Sequence, residues 1–138
     1  MIVDTSAILA ILRAEPEAAA AAEAMRDASV RRISAANWLE SAIAIDASGD
    51  PIASRKFDEL VRSAGLLIEP VTPEQARVGR ETYRDFGRGS GHPARLSFGD
   101  CFSYALAKTT EEPLLFKGDD FARTDIAGVR LDSQDRPV

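Results

Sequence analysis

The apolar positions of this chain change period repeatedly. "MIVD", residues 1–4, is a short apolar run closed by an acid and reads as a strand. "TSAILAIL" then switches to helical spacing through Ala7, Ile8, Ile11 and Leu12. "EPEAAAAAEAMRDA" predicts an alanine-rich helix with Pro16 in its first turn. "VRRIS" predicts a second strand, followed by a helix "AANWLESAIAIDAS" that Gly49 ends. Pro51 opens another helix, "PIASRKFDELVRSA", stopped by Gly65. "LLIEPV" predicts a third strand. Thr72, Pro73 and Gln75 have the pattern of a capping box, opening a helix that runs to about Phe86.

"GRGSGHPARLS" holds three glycines and a proline in eleven residues and reads as a loop. Ser97 caps the next helix, whose buried face is read from Phe98, Phe102, Ala105 and Leu106. "PLLF" predicts a strand, and "KGDDFARTDI" a turn and short helix with Phe121 anchored in the core. "VRL" predicts a last edge strand, and "DSQDRPV", about 132–138, a frayed polar tail. Strands separated by helices imply an α/β fold: a central parallel sheet of about four to five strands with helices on both faces. With 138 residues the chain is expected to form one domain over 1–138.

Composition narrows the function classes. No apolar run approaches the ~20 residues a bilayer span needs, and the apolar start lacks the basic flank of a signal peptide. The expectation is a cytoplasmic protein without membrane contact. Cys101, the single cysteine, excludes an internal disulfide and a Cys-cluster metal site, and His92, the single histidine, excludes a His-rich one. The net charge of −5 argues against a nucleic-acid partner as a whole. Locally, however, Arg77, Arg80, Arg84, Arg88 and Arg95 stand against Glu81 and Asp85 only. The first four step by three or four and so share a helical face. That face is either a set of phosphate contacts or a solvated surface balanced by Glu74, Glu81 and Asp85.

Several acids lack the partners surface acids have. Asp4 ends the first strand, where ligands bind in open parallel sheets, and it also stands where a helix cap belongs. Glu40 is the one charged residue between Ser34 and Ile45. Either it belongs to a narrow polar stripe of Asn37, Glu40, Ser41 and Ser48 facing water, or it binds a cation. Asp100 sits at the front of an apolar helix with no Lys or Arg within a turn. Its plain reading is an acid favoured by the helix dipole. Asp119 and Asp120 follow the fourth strand. Acids from these places can converge at one sheet edge, where a divalent cation relieves their repulsion. All-oxygen ligation points to Mg²⁺ or Mn²⁺.

At these residues the chain resembles the PIN-domain ribonucleases, and among them the VapC-type toxins of bacterial toxin–antitoxin pairs. "MIVDTSAILAIL" looks like the family's opening strand and first Asp, and "SAANWLESAI" like its Glu-bearing helix. "FGDCFSYALAK" followed by "EPLLFKGDDFARTDI" is the most specific part. The resemblance implies a three-layer PIN-like fold and a Mg²⁺- or Mn²⁺-dependent endoribonuclease leaving 5′-phosphate and 3′-hydroxyl ends. It implies an acidic centre of Asp4, Glu40 and Asp100. Asp4 and Asp100 would be direct ligands, and Glu40 and a fourth acid would act through water. Asp119 is preferred as the fourth acid because Asp120, beside Phe121, has a capping role open to it. Thr5 and Ser6 match the hydroxyls beside the first Asp.

Arg80, Arg84, Arg88, His92 and Arg95 are the candidate RNA contacts, and His92 is more readily a surface residue than a general acid or base. Cys101 is read as a packed thiol, and Trp38 as core or dimer interface. The implied partners are a cognate antitoxin, an RNA substrate and a second copy of the chain, with no DNA contact by this chain alone. "SAILAIL" and "NWLESAIAI" are candidate grooves. Two alternatives stand beside this reading. One is a phosphoaspartate-type phosphoryl-transfer domain, which lacks its second Asp because residue 6 is Ser. The other is a non-catalytic module whose acids grip a basic peptide.

Overall fold

A computed structural model describes residues 1–131; the polar tail at 132–138 lies outside the described residues. Five strands alternate with six helices. They are β1 (Ile2–Val3), β2 (Arg31–Ser34), β3 (Leu66–Glu69), β4 (Leu114–Lys117) and β5 (Gly128–Leu131). The helices are α1 (Thr5–Leu12), α2 (Ala18–Asp27), α3 (Ala35–Asp46), α4 (Pro51–Ser63), α5 (Pro73–Phe86) and α6 (Phe98–Thr110). A single 3₁₀ turn spans Phe121–Arg123. All pairings are parallel, in the order β3-β2-β1-β4-β5. The chain therefore leaves β1 in one direction and, at β4, resumes on its other side. β1 and β4 flank the switch point, and the crevice beyond their carboxyl ends is where such sheets place ligands.

Side-chain alternation divides the core. Val3 and Leu115 point to one face with Ile8, Met25, Ile33, Ile45 and Phe57, covered by α1 to α4. Ile2, Leu114 and Phe116 point to the other with Leu96, Tyr104, Leu106 and Phe121, covered by α5 and α6. Phe121 packs edge-on against Phe116, with ring centroids 5.3 Å apart, and so fixes the turn after β4 as expected. Trp38 lies against the first cluster, 6.1 Å from Phe57.

Local chemistry sets the element ends. Asp4, Ser34, Asp50, Thr72 and Ser97 each cap the helix that follows them. Thr72 accepts the Gln75 N–H at 3.1 Å, while Gln75 is itself buried; only the forward half of the expected capping box is present. Replacing Thr72 by Ala is expected to lower stability by about 1 kcal/mol, read as a lower denaturant midpoint at unchanged m-value. Pro16 does not enter a helix. It sits in a turn closed by the Ala18 N–H on Glu15 O at 2.9 Å, and α2 starts two residues later.

Two face assignments are corrected. Phe98 is 76% exposed, because as the first residue of α6 it precedes the stretch that runs beneath the sheet; it meets Phe102 edge-on instead. Arg88 does not continue the arginine face of α5, because the helix stops at Phe86. Arg88 belongs to a loop closed by a bridge between Gly87 and Leu96.

Candidate acidic active site

Asp4 leaves the end of β1 with 3% exposure and caps the helix that follows, as one of its two readings expected. Its Oδ2 accepts the Ser6 N–H at 3.0 Å, which caps α1, and the Ser6 hydroxyl at 2.6 Å. Ser6 Oγ in turn accepts the Lys117 N–H at 3.0 Å, tying the carboxylate to the end of β4. On the other side, Ser103 of α6 donates to Asp4 Oδ1 at 2.5 Å and lies 3.0 Å from Asn37 Oδ1. Every donor to Asp4 is neutral. Burial pushes the Asp4 carboxyl above its ordinary range; the Ser103 and Ser6 bonds pull it down, and the charge of Glu40 adds repulsion.

Asp100 is the third residue of α6 and closes a capping box with Ser97. Its Oδ2 accepts the Ser97 N–H at 2.8 Å, and its own N–H donates to Ser97 Oγ at 3.2 Å. Burial pushes Asp100 up to about 6 against the Ser97 bonds, with the charges of Asp4 and Asp120 adding to the rise.

Glu40 reaches the same place from α3. Thr5 Oγ1 donates to its Oε1 at 2.5 Å, and Asn37 Nδ2 stands 3.4 Å from that oxygen. The expected water-facing stripe is only half right. Glu40 and Ser48 are exposed, but Asn37 is 1% exposed and Ser41 fully buried. Asn37 points at α6, where its Nδ2 donates to Gly99 O at 2.9 Å. Since that carbonyl can only accept, the amide orientation is fixed and Asn37 Oδ1 faces Ser103. Asn37 and Ser103 thus link α3, α6 and Asp4, and sequence reasoning missed both in this role. Ser103, a small hydroxyl inside the apolar run of α6, was the available signal.

The two late acids separate. Asp119 pairs with the Arg130 guanidinium of β5 and is exposed. Asp120 makes no side-chain cap to the 3₁₀ turn, and its charge is felt by Asp100. The reason for preferring Asp119 does not hold: the capping bond expected of Asp120 is absent, and Asp119 already has a cation.

The basic residues also separate. Arg84 pairs with Asp85, and Arg80 lines an apolar groove with Tyr83, Phe98 and Phe102. Arg88 and Arg95 line a cleft with Asp119 and Asp120. His92 Nδ1 accepts the Ala94 N–H at 3.0 Å, and its ring packs edge-on against Phe86 at 4.8 Å, so it staples the loop. Cys101 is a packed thiol whose Sγ donates to Ser97 O at 3.4 Å; burial pushes it up to about 11.

Among the described residues, no three His, Cys, Asp or Glu groups stand close enough to hold a metal ion as they are. The donor set nevertheless fits a hard dication. Asp4, Glu40, Asp100 and Asp120 offer oxygen only, and among the described residues none has a Lys, Arg or His partner. Two of them are held desolvated.

This fold is that of a known family: the PIN-domain model matches residues 1–127. The chain belongs to the PIN-domain family. Ribonuclease VapC28 of Mycobacterium tuberculosis is 60% identical over 126 residues, 91% of this chain and 95% of that protein. The crystal structure of Mycobacterium tuberculosis VapC20, described as a sarcin-ricin loop cleaving toxin, superposes with a TM-score of 0.74 at 20% identity, covering 94% of this chain and 98% of that one. A toxin–antitoxin complex from Klebsiella pneumoniae gives 0.69 at 18% identity, covering 93% and 94%. These two structures share the three-layer fold. Among the described residues, no helix is long and apolar enough to cross a membrane.

Proposed function

We propose that this chain is an endoribonuclease dependent on Mg²⁺ or Mn²⁺, and the toxin of a toxin–antitoxin pair. The observation that carries the reading is the buried Asp4 and the half-buried Asp100, held at the switch point of the sheet on neutral donors alone. The relatives named VapC ribonuclease support the same activity. Membership of the PIN family removes the phosphoaspartate alternative.

Asp4 and Asp100 would hold the metal directly, with Glu40 and Asp120 contacting its waters. A bound dication lowers the pKa of water and neutralises charge on a phosphodiester. The residues of the chain supply position. Ser6 and Ser103 fix the Asp4 carboxylate from both sides, and Thr5 aims Glu40. Glu40, exposed and without a cationic partner, takes the proton from the attacking water. The water oxygen bonds to phosphorus, the bond from phosphorus to the 3′-oxygen breaks, and that oxygen is protonated from solvent. The products are a 5′-phosphate and a 3′-hydroxyl.

The solved toxin–antitoxin complex of the same fold supports an antitoxin partner. Exposed Leu39 and Ile43 of α3 and Ile52 of α4 form the apolar surface that a partner helix or a second copy would cover. A single domain working in the cytoplasm completes the reading.

Incubation of the purified protein with total RNA tests it. Mg²⁺ or Mn²⁺ should give discrete fragments with 5′-phosphates, and a chelator should abolish them. Asp120→Asn should lose roughly 10–100-fold in rate, as groups holding a metal's outer contacts do. Asp119→Asn should cut at close to the wild-type rate. Cutting that survives chelation would overturn the metal centre, and the reverse order of the two variants would return the fourth position to Asp119.

A further inference from the structure

Beside the acidic centre lies a cleft of about 350 Å³ lined by Arg88, Pro93, Arg95, Asp119, Asp120 and Arg123. One wall is the loop between α5 and α6; the other is the turn and 3₁₀ segment after β4. The Arg123 guanidinium donates to Pro93 O at 3.2 Å and joins the two walls. Of the two acids in the lining, Asp119 is neutralised by Arg130. Asp120 belongs both to this cleft and to the electrostatic surroundings of Asp100. The cleft is therefore basic and opens next to the carboxylates.

Arg95 carries the second observation. Its backbone lies at φ +51°, in the left-handed region that favours glycine or asparagine. The surroundings impose this conformation. Ala94 and Leu96 on either side are fully buried. Leu96 N–H donates to Phe86 O at 2.8 Å, and Arg88 N–H to Leu96 O at 3.0 Å. The chain must turn left-handed at residue 95 to bury both neighbours, and the residue at the turn is an exposed arginine rather than a glycine. Ala14 and Glu111 take the same backbone region, so the conformation alone assigns no role; what distinguishes Arg95 is that its turn sets an exposed guanidinium in the lining of the cleft.

We propose that Arg88, Arg95 and Arg123 form a phosphate subsite that holds the RNA backbone at a phosphate neighbouring the one cleaved. Arg123 was not among the residues singled out from the sequence, because its partners in the cleft come from a loop thirty residues earlier. A guanidinium fork fits a phosphate better than an ammonium does. The subsite also explains how a chain of net charge −5 approaches a polyanion: the attraction is local and stands beside the acids.

The inference rests on the ribonuclease reading, and one set of measurements separates their failures. The probe is a fluorescein-labelled single-stranded RNA oligonucleotide, assayed for cleavage with Mn²⁺ and for binding with chelator across a salt series. Arg95→Gly should melt at or above the wild-type temperature, since glycine fits φ +51° without strain. It should nevertheless weaken binding roughly five- to tenfold, flatten the salt slope by about 0.7 per lost contact, and raise KM more than it lowers kcat. Arg123→Ala should behave alike, and Arg95→Lys should recover part of the loss. Wild-type cleavage with Arg95→Gly and Arg123→Ala matching it in KM and salt slope would overturn the subsite and leave the ribonuclease standing. Absence of cleavage and RNA binding by the wild type would overturn both.

Discussion

Asp100→Asn is expected to abolish RNA cleavage and, in the same protein, to raise the melting temperature of the metal-free form at pH 7.5. The two effects have one cause. Burial, with the charges of Asp4 and Asp120, raises the Asp100 pKa from 3.8 in the unfolded chain to about 6 in the fold. Between those values the native state holds a proton that the unfolded state has released, so stability falls as pH rises through the window. Above about pH 6 the penalty is complete, and a shift of this size corresponds to roughly 1–3 kcal/mol.

Asparagine removes the charge and keeps an oxygen to accept the Ser97 N–H. The helix cap therefore survives while the penalty goes. The same change removes the proposed direct metal ligand, for which a loss on the order of 10³-fold in rate is expected. Other groups titrate in the opposite sense. Lys108 and Tyr104 hold Asp125 below its ordinary range, so its contribution is present at neutral pH and lost in acid. The decisive quantity is therefore the wild-type-minus-variant difference in chelator. The variant's advantage should be full at pH 7.5 and smaller at pH 5. Mn²⁺ should reverse the order at pH 7.5 by raising the melting temperature of the wild type alone. A variant less stable than wild type at pH 7.5 in chelator, or one that still cleaves, is incompatible with Asp100 as a strained ligand.

The elements were legible because each announces itself locally. Caps at Asp4, Thr72 and Ser97 and the short apolar runs around Ile2, Val3, Leu114, Leu115 and Phe116 are encoded within a few residues of where they act, whereas the caps at Ser34 and Asp50 went unread. Glu40 and Asp100 could be singled out as candidates because an acid without a cation nearby is conspicuous in one dimension, and Asp4 because it ends a strand. What helical spacing cannot tell is which side of a helix meets another helix. Asn37 and Ser41 share a stripe with Glu40, yet Asn37 is buried against α6 while Glu40, seated at the edge of that contact beside Gly99, stays exposed. The choice between Asp119 and Asp120 turned on Arg130, a residue of the neighbouring strand that no local pattern connects to the turn. Arg88 and Arg123 meet in one cleft only because the loop before α6 folds back on the turn after β4.

Gly99 shows the same limit and carries the second large effect. It precedes Asp100 inside α6, and a Cβ built there would lie 2.1 Å from Glu40 Oε2 and 2.8 Å from Glu40 Cδ. The missing side chain makes room for the Glu40 carboxylate against the α6 backbone, with Thr5 and Asn37 holding it there. Alanine is a better helix former than glycine, and the group it would strike is the free end of an exposed side chain rather than backbone. Gly99→Ala is therefore expected to fold with an unchanged far-UV spectrum and near-wild-type stability, while displacing Glu40 from its seat. Misplacing a reacting group by about 1 Å costs on the order of 10²-fold, and kcat should carry most of that loss. Gly79 in α5 supplies the control. A Cβ there meets Cys101 O at 3.7 Å and Cys101 Cβ at 3.8 Å, ordinary contact distances. Gly79→Ala should gain about 0.5–1 kcal/mol of stability and cleave at the wild-type rate. Equal kcat in the two variants would mean that the seat beside Gly99 does nothing for catalysis, and that Glu40 acts, if at all, from elsewhere.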